Sequence, residues 1–210
     1  KFSGIIYAQL ANSEKLAQYL IALKILEIIK NISMAPFYSK IPLLSKYYAQ
    51  NKMDNWASLA KNRIFSSNLL LIFGILFFGF FGSTIFEKIS SNIVFPSLLL
   101  WYMLATAKFF HRLGAMHTQL YMTSNKVNSH ISDTISGLIF LSSSVLLYNQ
   151  YGIYSFAIGM LLAYLGFYIW YSMFYSYQII NNSILKFEFH VTLLPLSFLL
   201  ITQYLHLLCH

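Results

Sequence analysis

Charged residues are missing from long stretches of this chain and gather between them. The stretch 64–86, IFSSNLLLIFGILFFGFFGSTIF, runs 23 residues without a charge. At ~1.5 Å rise per residue it is long enough to cross a ~30 Å hydrocarbon core. Further apolar blocks follow, and the pattern predicts six membrane-spanning helices, at 16–38, 64–86, 94–122, 131–148, 153–175 and 191–208. A period-two alternation is missing, so the expected fold class is an all-α transmembrane bundle and not a β-barrel.

The first block has a polar seam. Lys24, Glu27 and Asn31 fall on one helical stripe, with Ala22, Ile25, Leu26 and Ile29 on the other side. Pro36 and the PFYSKIP stretch close it. The connection 40–63 carries Lys40, Lys46, Lys52, Lys61 and Arg63 against Asp54 alone. Met53, Trp56, Ala57 and Ala60 are spaced i, i+3, i+4, i+7, which predicts an interfacial helix in its second half. The segments 87–93, 123–129, 149–152 and 181–188 are expected as short loops or turns. Loops with the Lys and Arg surplus, 40–63 above all, are expected in the cytoplasm. Residues 2–10 resemble the tail of an earlier hydrophobic segment, and with Lys1 at the start they suggest a fragment of a longer protein.

Composition agrees with this picture. Of 210 residues, 58% are hydrophobic and only 10% charged, against ~25% charged in a typical soluble domain. Lys and Arg outnumber Asp and Glu by 14 to 6, yet no nucleic-acid motif accompanies them. The single cysteine, Cys209, excludes an internal disulfide framework and a multi-cysteine metal site. His206 and His210 have ligand-like i, i+4 spacing but no third ligand nearby. No paired carboxylates, Ser/His/Asp order or phosphate-binding glycine loop stands out, so neither enzymatic chemistry nor a cofactor is expected. Gly79 and Gly82 are expected to serve helix packing.

The third block has an uncharged run, 94–107, of only 14 residues, or ~21 Å of helix. To span, it must carry Lys108, His111 and Arg112 into the membrane on one face. Two readings follow. Lys108 and Arg112 snorkel to the headgroups, or they face an aqueous cavity, since a cation facing lipid at mid-depth costs at least ~2.5 kcal/mol. Lys24 and Glu27 likewise form an i, i+3 pair or line that cavity. Lys30 is left without an acid. Asp133 is expected as a helix N-cap or first-turn acid, and His117 as a packed or lumen-facing histidine.

The run AQYLIALKILEIIKNISMAPFYSKIPLLSKYYAQNK, with Tyr19, Pro42 and Lys46, resembles the start of the C-terminal half of Wzx-type O-antigen or capsule flippases. These belong to the multidrug/oligosaccharidyl-lipid/polysaccharide exporter superfamily. HTQLYMTSNKVNSHISDTISGLIF looks like that family's later helical hairpin. The resemblance implies one lobe of a two-lobed MATE-like fold in a bacterial inner membrane, with the N-terminal lobe absent. It further implies alternating access and a cationic lumen for an undecaprenyl-pyrophosphate-linked oligosaccharide. Lys24, Lys30, Lys108, His111 and Arg112 would line it, and Glu27 or Asp133 would carry coupling H⁺ or Na⁺. Polysaccharide polymerase and assembly proteins would be partners. Competing readings are a drug or cation exporter, which would want an anionic cavity; a polymerase or ligase, which would want a larger external loop; and a structural subunit of a larger complex.

Overall fold

The structure is a computed structural model that describes residues 13–89, 94–125, 128–180 and 184–209. Those residues are helical, with no strand among them. Helix α1 spans Ser13–Tyr38, with Pro36 in its last turn. A short α2, Ile41–Ala49, begins with Pro42 in its first turn, where a missing N–H costs nothing. Helix α3 runs unbroken through Met53–Ile89, 37 residues. Helix α4 is Leu98–Met122, its N-terminus capped by the Ser97 hydroxyl, which accepts from the Leu100 amide. Helix α5 is Ser129–Tyr151. Gly152, at φ +53°, turns the chain into α6, Tyr154–Tyr177, whose middle turn Tyr164–Tyr168 is π-helical. Helix α7, Ile184–Cys209, contains a second π turn at Phe189–Leu193.

Four of these helices, α3, α5, α6 and α7, are long and apolar enough to cross a membrane. At most half of each apolar window is buried against protein, so the rest faces outward, as lipid-facing surface must. The chain is therefore a membrane-embedded helical protein. Helices α1 and α4 have the length of spans, 26 and 25 residues, but fall outside that apolar set.

Several element boundaries differ from the sequence-based expectation. The interfacial helix and the second block are one continuous rod, because Trp56, Ala57, Ala60 and Ile64 are buried along a single stripe that gives the helix no reason to stop. The first half of the connection is helical as well. The 149–152 turn narrows to Gly152–Ile153. Residues 184–188, expected as loop, are the first turn of α7. The rest of that loop, the turn at 90–93, Lys126, the segment 2–10 and His210 lie outside the described residues.

Helix α4 is the hub. It packs against α1, α3, α6 and α7, while α5 packs chiefly on α6. Polar side chains join the hub to its neighbours: Trp101 Nε1 donates to the Ile75 carbonyl at 3.2 Å; Tyr102 meets His206 Nδ1 at 2.6 Å; Thr106 donates to Gln203 at 3.2 Å. Gly79 and Gly82 let Tyr102 and Phe95 lie directly on the α3 backbone. Part of the modest apolarity of α4 thus reflects Trp101, Tyr102 and Thr106, whose polar groups are answered by neighbouring helices.

The π turn of α7 has an identifiable cause. Pro195 lacks the N–H that would bond the carbonyl of Val191, four residues earlier. Asn68 of α3, fully buried, donates its side-chain amide to that carbonyl at 2.6 Å. An Asn68→Leu variant is expected to lose about 2 kcal/mol, the cost of stranding a buried acceptor, measured as thermal unfolding in detergent. Adding Pro195→Ala, which returns a backbone donor, should recover most of the loss. A single variant as stable as wild type would show that the carbonyl needs no donor.

Candidate functional site

The basic residues of the third block converge with the polar seam of the first where α1 crosses α4. Glu27 sits between two ammonium groups. Its Oε1 accepts from Lys30 one turn on, at 2.5 Å, and its Oε2 accepts from Lys108 of α4 at 3.3 Å. Both lysine side chains are 12% exposed, and Glu27 is 41% exposed. The expected Lys24–Glu27 pair does not form, and Lys30 is not left over. Lys24 is exposed on α1, outside this cluster. Both lysines are three residues from Glu27, but only Lys30 also lies toward α4. The hub's position, invisible in the local sequence, decides between them.

Arg112 lies one turn beyond Lys108 and is 0% exposed. Its Nη2 donates to the Ser33 carbonyl of α1 at 3.3 Å, and its Nε and Nη1 have no hydrogen-bond partner. It neither snorkels nor pairs with an acid. A buried guanidinium without a carboxylate is costly and uncommon. His111 stacks on Tyr168 at 5.3 Å and against Tyr164 at 4.7 Å, both in the π turn of α6, and stays within electrostatic range of Lys108, Lys30 and Glu27. Its Nδ1 is buried without a hydrogen bond. The crossing holds two ammonium groups, Lys30 and Lys108, on one carboxylate, with the Arg112 guanidinium one helical turn farther along α4. Such a surplus with free donors is suited to receive an anion.

Asp133 is neither N-cap nor first-turn acid. Asn128 occupies the N-cap position, and Asp133 is exposed in the second turn of α5. Helix α5 starts earlier than the apolar pattern indicates, which places Asp133 one turn inside it. Among the described residues no group of three or more His, Cys, Asp or Glu is placed to hold a metal.

A second polar group went unrecognised in the sequence. His117 of α4 is fully buried, with Nδ1 2.7 Å from the Ser176 hydroxyl of α6 and Nε2 3.4 Å from Oε1 of Glu188 on α7. Beside it, Thr118 meets Ser172 at 3.0 Å. Ser172 and Ser176, four apart on one face of an apolar helix, were the available signal.

With this geometry in hand, comparison with family models, with curated proteins and with solved structures returned no match.

Proposed function

We propose that the chain is the C-terminal lobe of a flippase for an undecaprenyl-pyrophosphate-linked oligosaccharide. It would serve O-antigen or capsule assembly in a bacterial cytoplasmic membrane. In this reading α1 and α4 join the four apolar helices as spans, making six around the lobe's polar interior, and an N-terminal lobe closes the cavity. The isoprenoid tail stays in lipid, and the anionic head crosses beside the α1–α4 cluster. Lys30, Lys108 and Arg112 line that path, with His111 beside them and Lys24 on the outer surface of α1. Glu27 holds the two lysines apart and carries the coupling ion more readily than exposed Asp133.

The observation that carries this reading is Arg112: a guanidinium buried at the helix crossing, with two nitrogens unpartnered and Lys108 one helical turn away. A pyrophosphate would satisfy those donors. A cation exporter fits worse, because three cations to one acid repel its substrate.

The test uses the full-length protein. Arg112→Ala and Lys108→Ala are expected to lower surface polysaccharide about tenfold or more at unchanged protein level, since a charge-assisted hydrogen bond is worth about 1.5–3 kcal/mol. Normal export in both variants would overturn the reading.

A further inference from the structure

We propose that His117 and Glu188 together hold one exchangeable proton at the junction of α4, α6 and α7, and that its departure pushes the start of α7 away from α4. The inference comes from counting donors. Ser176 has a single hydroxyl proton, and that proton goes to the Met173 carbonyl at 3.0 Å. Toward His117 the Ser176 oxygen can only accept, so at 2.7 Å the imidazole Nδ1 must carry a hydrogen. In a neutral ring Nε2 is then a bare lone pair. It faces Oε1 of Glu188 across 3.4 Å, and neither atom has a hydrogen-bond partner. The rest of the carboxylate is occupied, because Thr192 donates to Oε2 and the Tyr177 hydroxyl also hydrogen-bonds Glu188. Two buried acceptors therefore point at each other with room for one proton between them.

Without that proton they repel in a medium where no water is at hand to separate them. With it, the pair is either an imidazolium–carboxylate or an imidazole–carboxylic acid, both neutral overall. The surroundings favour a proton over a metal cation: one face is an imidazole nitrogen, and the rings of Tyr177 and Phe187 pack edge-on at 5.8 and 6.3 Å. Lys186 stands two residues before Glu188 on the first turn of α7. The Tyr177 hydroxyl of α6 interacts with Glu188. His190 of α7 stacks on Phe65 of α3, near Lys61. Arg63 follows two residues after Lys61, and Tyr121 of α4 packs on Tyr175.

The position suits a switch. Glu188 is the last residue before the π turn Phe189–Leu193, and π turns concentrate where helices bend for function. Movement at Glu188 is absorbed before Val191, whose carbonyl Asn68 holds within the turn. The site itself rests only on the membrane-embedded fold. Its use in driving transport rests on the flippase reading.

The experiment is infrared difference spectroscopy of the full-length protein in lipid vesicles across a pH series. Wild type should show imidazole and carboxyl bands that titrate together, and Glu188→Gln should abolish both. Identical difference spectra in wild type and Glu188→Gln overturn the proposal. Thr192→Val keeps both titrating groups and serves if Glu188→Gln does not fold. Removing the hydroxyl that favours the carboxylate should raise the midpoint by about one pH unit, and an unchanged midpoint also overturns it. A titrating pair in a protein that moves no oligosaccharide would keep the site and discard the transport reading.

Discussion

A Glu27→Gln protein should be less stable by about 2 kcal/mol, with a lower unfolding temperature in detergent. Lys30 and Lys108 both donate to that carboxylate and are 12% exposed. Glutamine keeps the shape and one acceptor oxygen but leaves two ammonium groups facing each other. Breaking a fully buried pair costs about 3–5 kcal/mol because a charge is stranded. Glu27 is 41% exposed, so part of that penalty is screened. The cause is repulsion and not a missing contact, so removing a cation should help. Glu27→Gln/Lys108→Met is expected to be more stable than Glu27→Gln alone, a sign of coupling that a double-mutant cycle reads directly. If the single variant unfolds with wild type, the cluster opens to bulk water and its charges are solvated independently.

Gly114→Leu is expected to be the most disruptive change in the hub, costing about 3 kcal/mol, the upper part of the range for overpacking. A Cβ at position 114 would lie 2.6 Å from Cδ1 and 2.7 Å from Cε1 of Tyr168. Tyr168 is buried and stacks on His111, so its ring has nowhere to retreat. A larger side chain must force α4 and α6 apart, disturbing the His117–Ser176 and Thr118–Ser172 contacts farther along the same crossing. Gly137 of α5 is the internal control. Nothing lies within 4 Å of a Cβ there, and Gly137→Leu should shift stability by about 0.5 kcal/mol or less. Equal effects at the two positions would contradict the close α4–α6 packing.

How much of this was readable in advance follows from what each feature depends on. Apolar runs locate helices because lipid leaves the backbone no alternative, and the third block does continue past Lys108 to Met122. Helix ends were misplaced where polar residues are helical too, as at Ser129 and Ile184, since polarity alone does not distinguish a loop from an amphipathic turn. The cationic cluster was half legible. Lys108, His111 and Arg112 were seen to share a helix, but Arg112 bonds a carbonyl 79 residues away and His111 faces another neighbour. The His117–Glu188 pair was not legible at all. Its members are 71 positions apart in sequence and meet only because α6 and α7 both fold back on α4.

The 37-residue length of α3 has a mechanical consequence. At ~1.5 Å per residue the rod is ~55 Å long, so with ~30 Å in hydrocarbon about 25 Å projects beyond it. The Met53 end is gripped by the buried Trp56 and Ala60 and joined to α2, whose Leu44 is also fully buried. A stiff bar held in the bilayer and loaded at its tip acts as a lever. A change in tilt of about 10°, within the ordinary spread for membrane helices, would sweep the projecting end through roughly 4 Å. Small rearrangements among α1, α3 and α4 at the level of Glu27 would thus arrive at the basic tip around Lys46 and Lys52 as displacements large enough for another protein to feel.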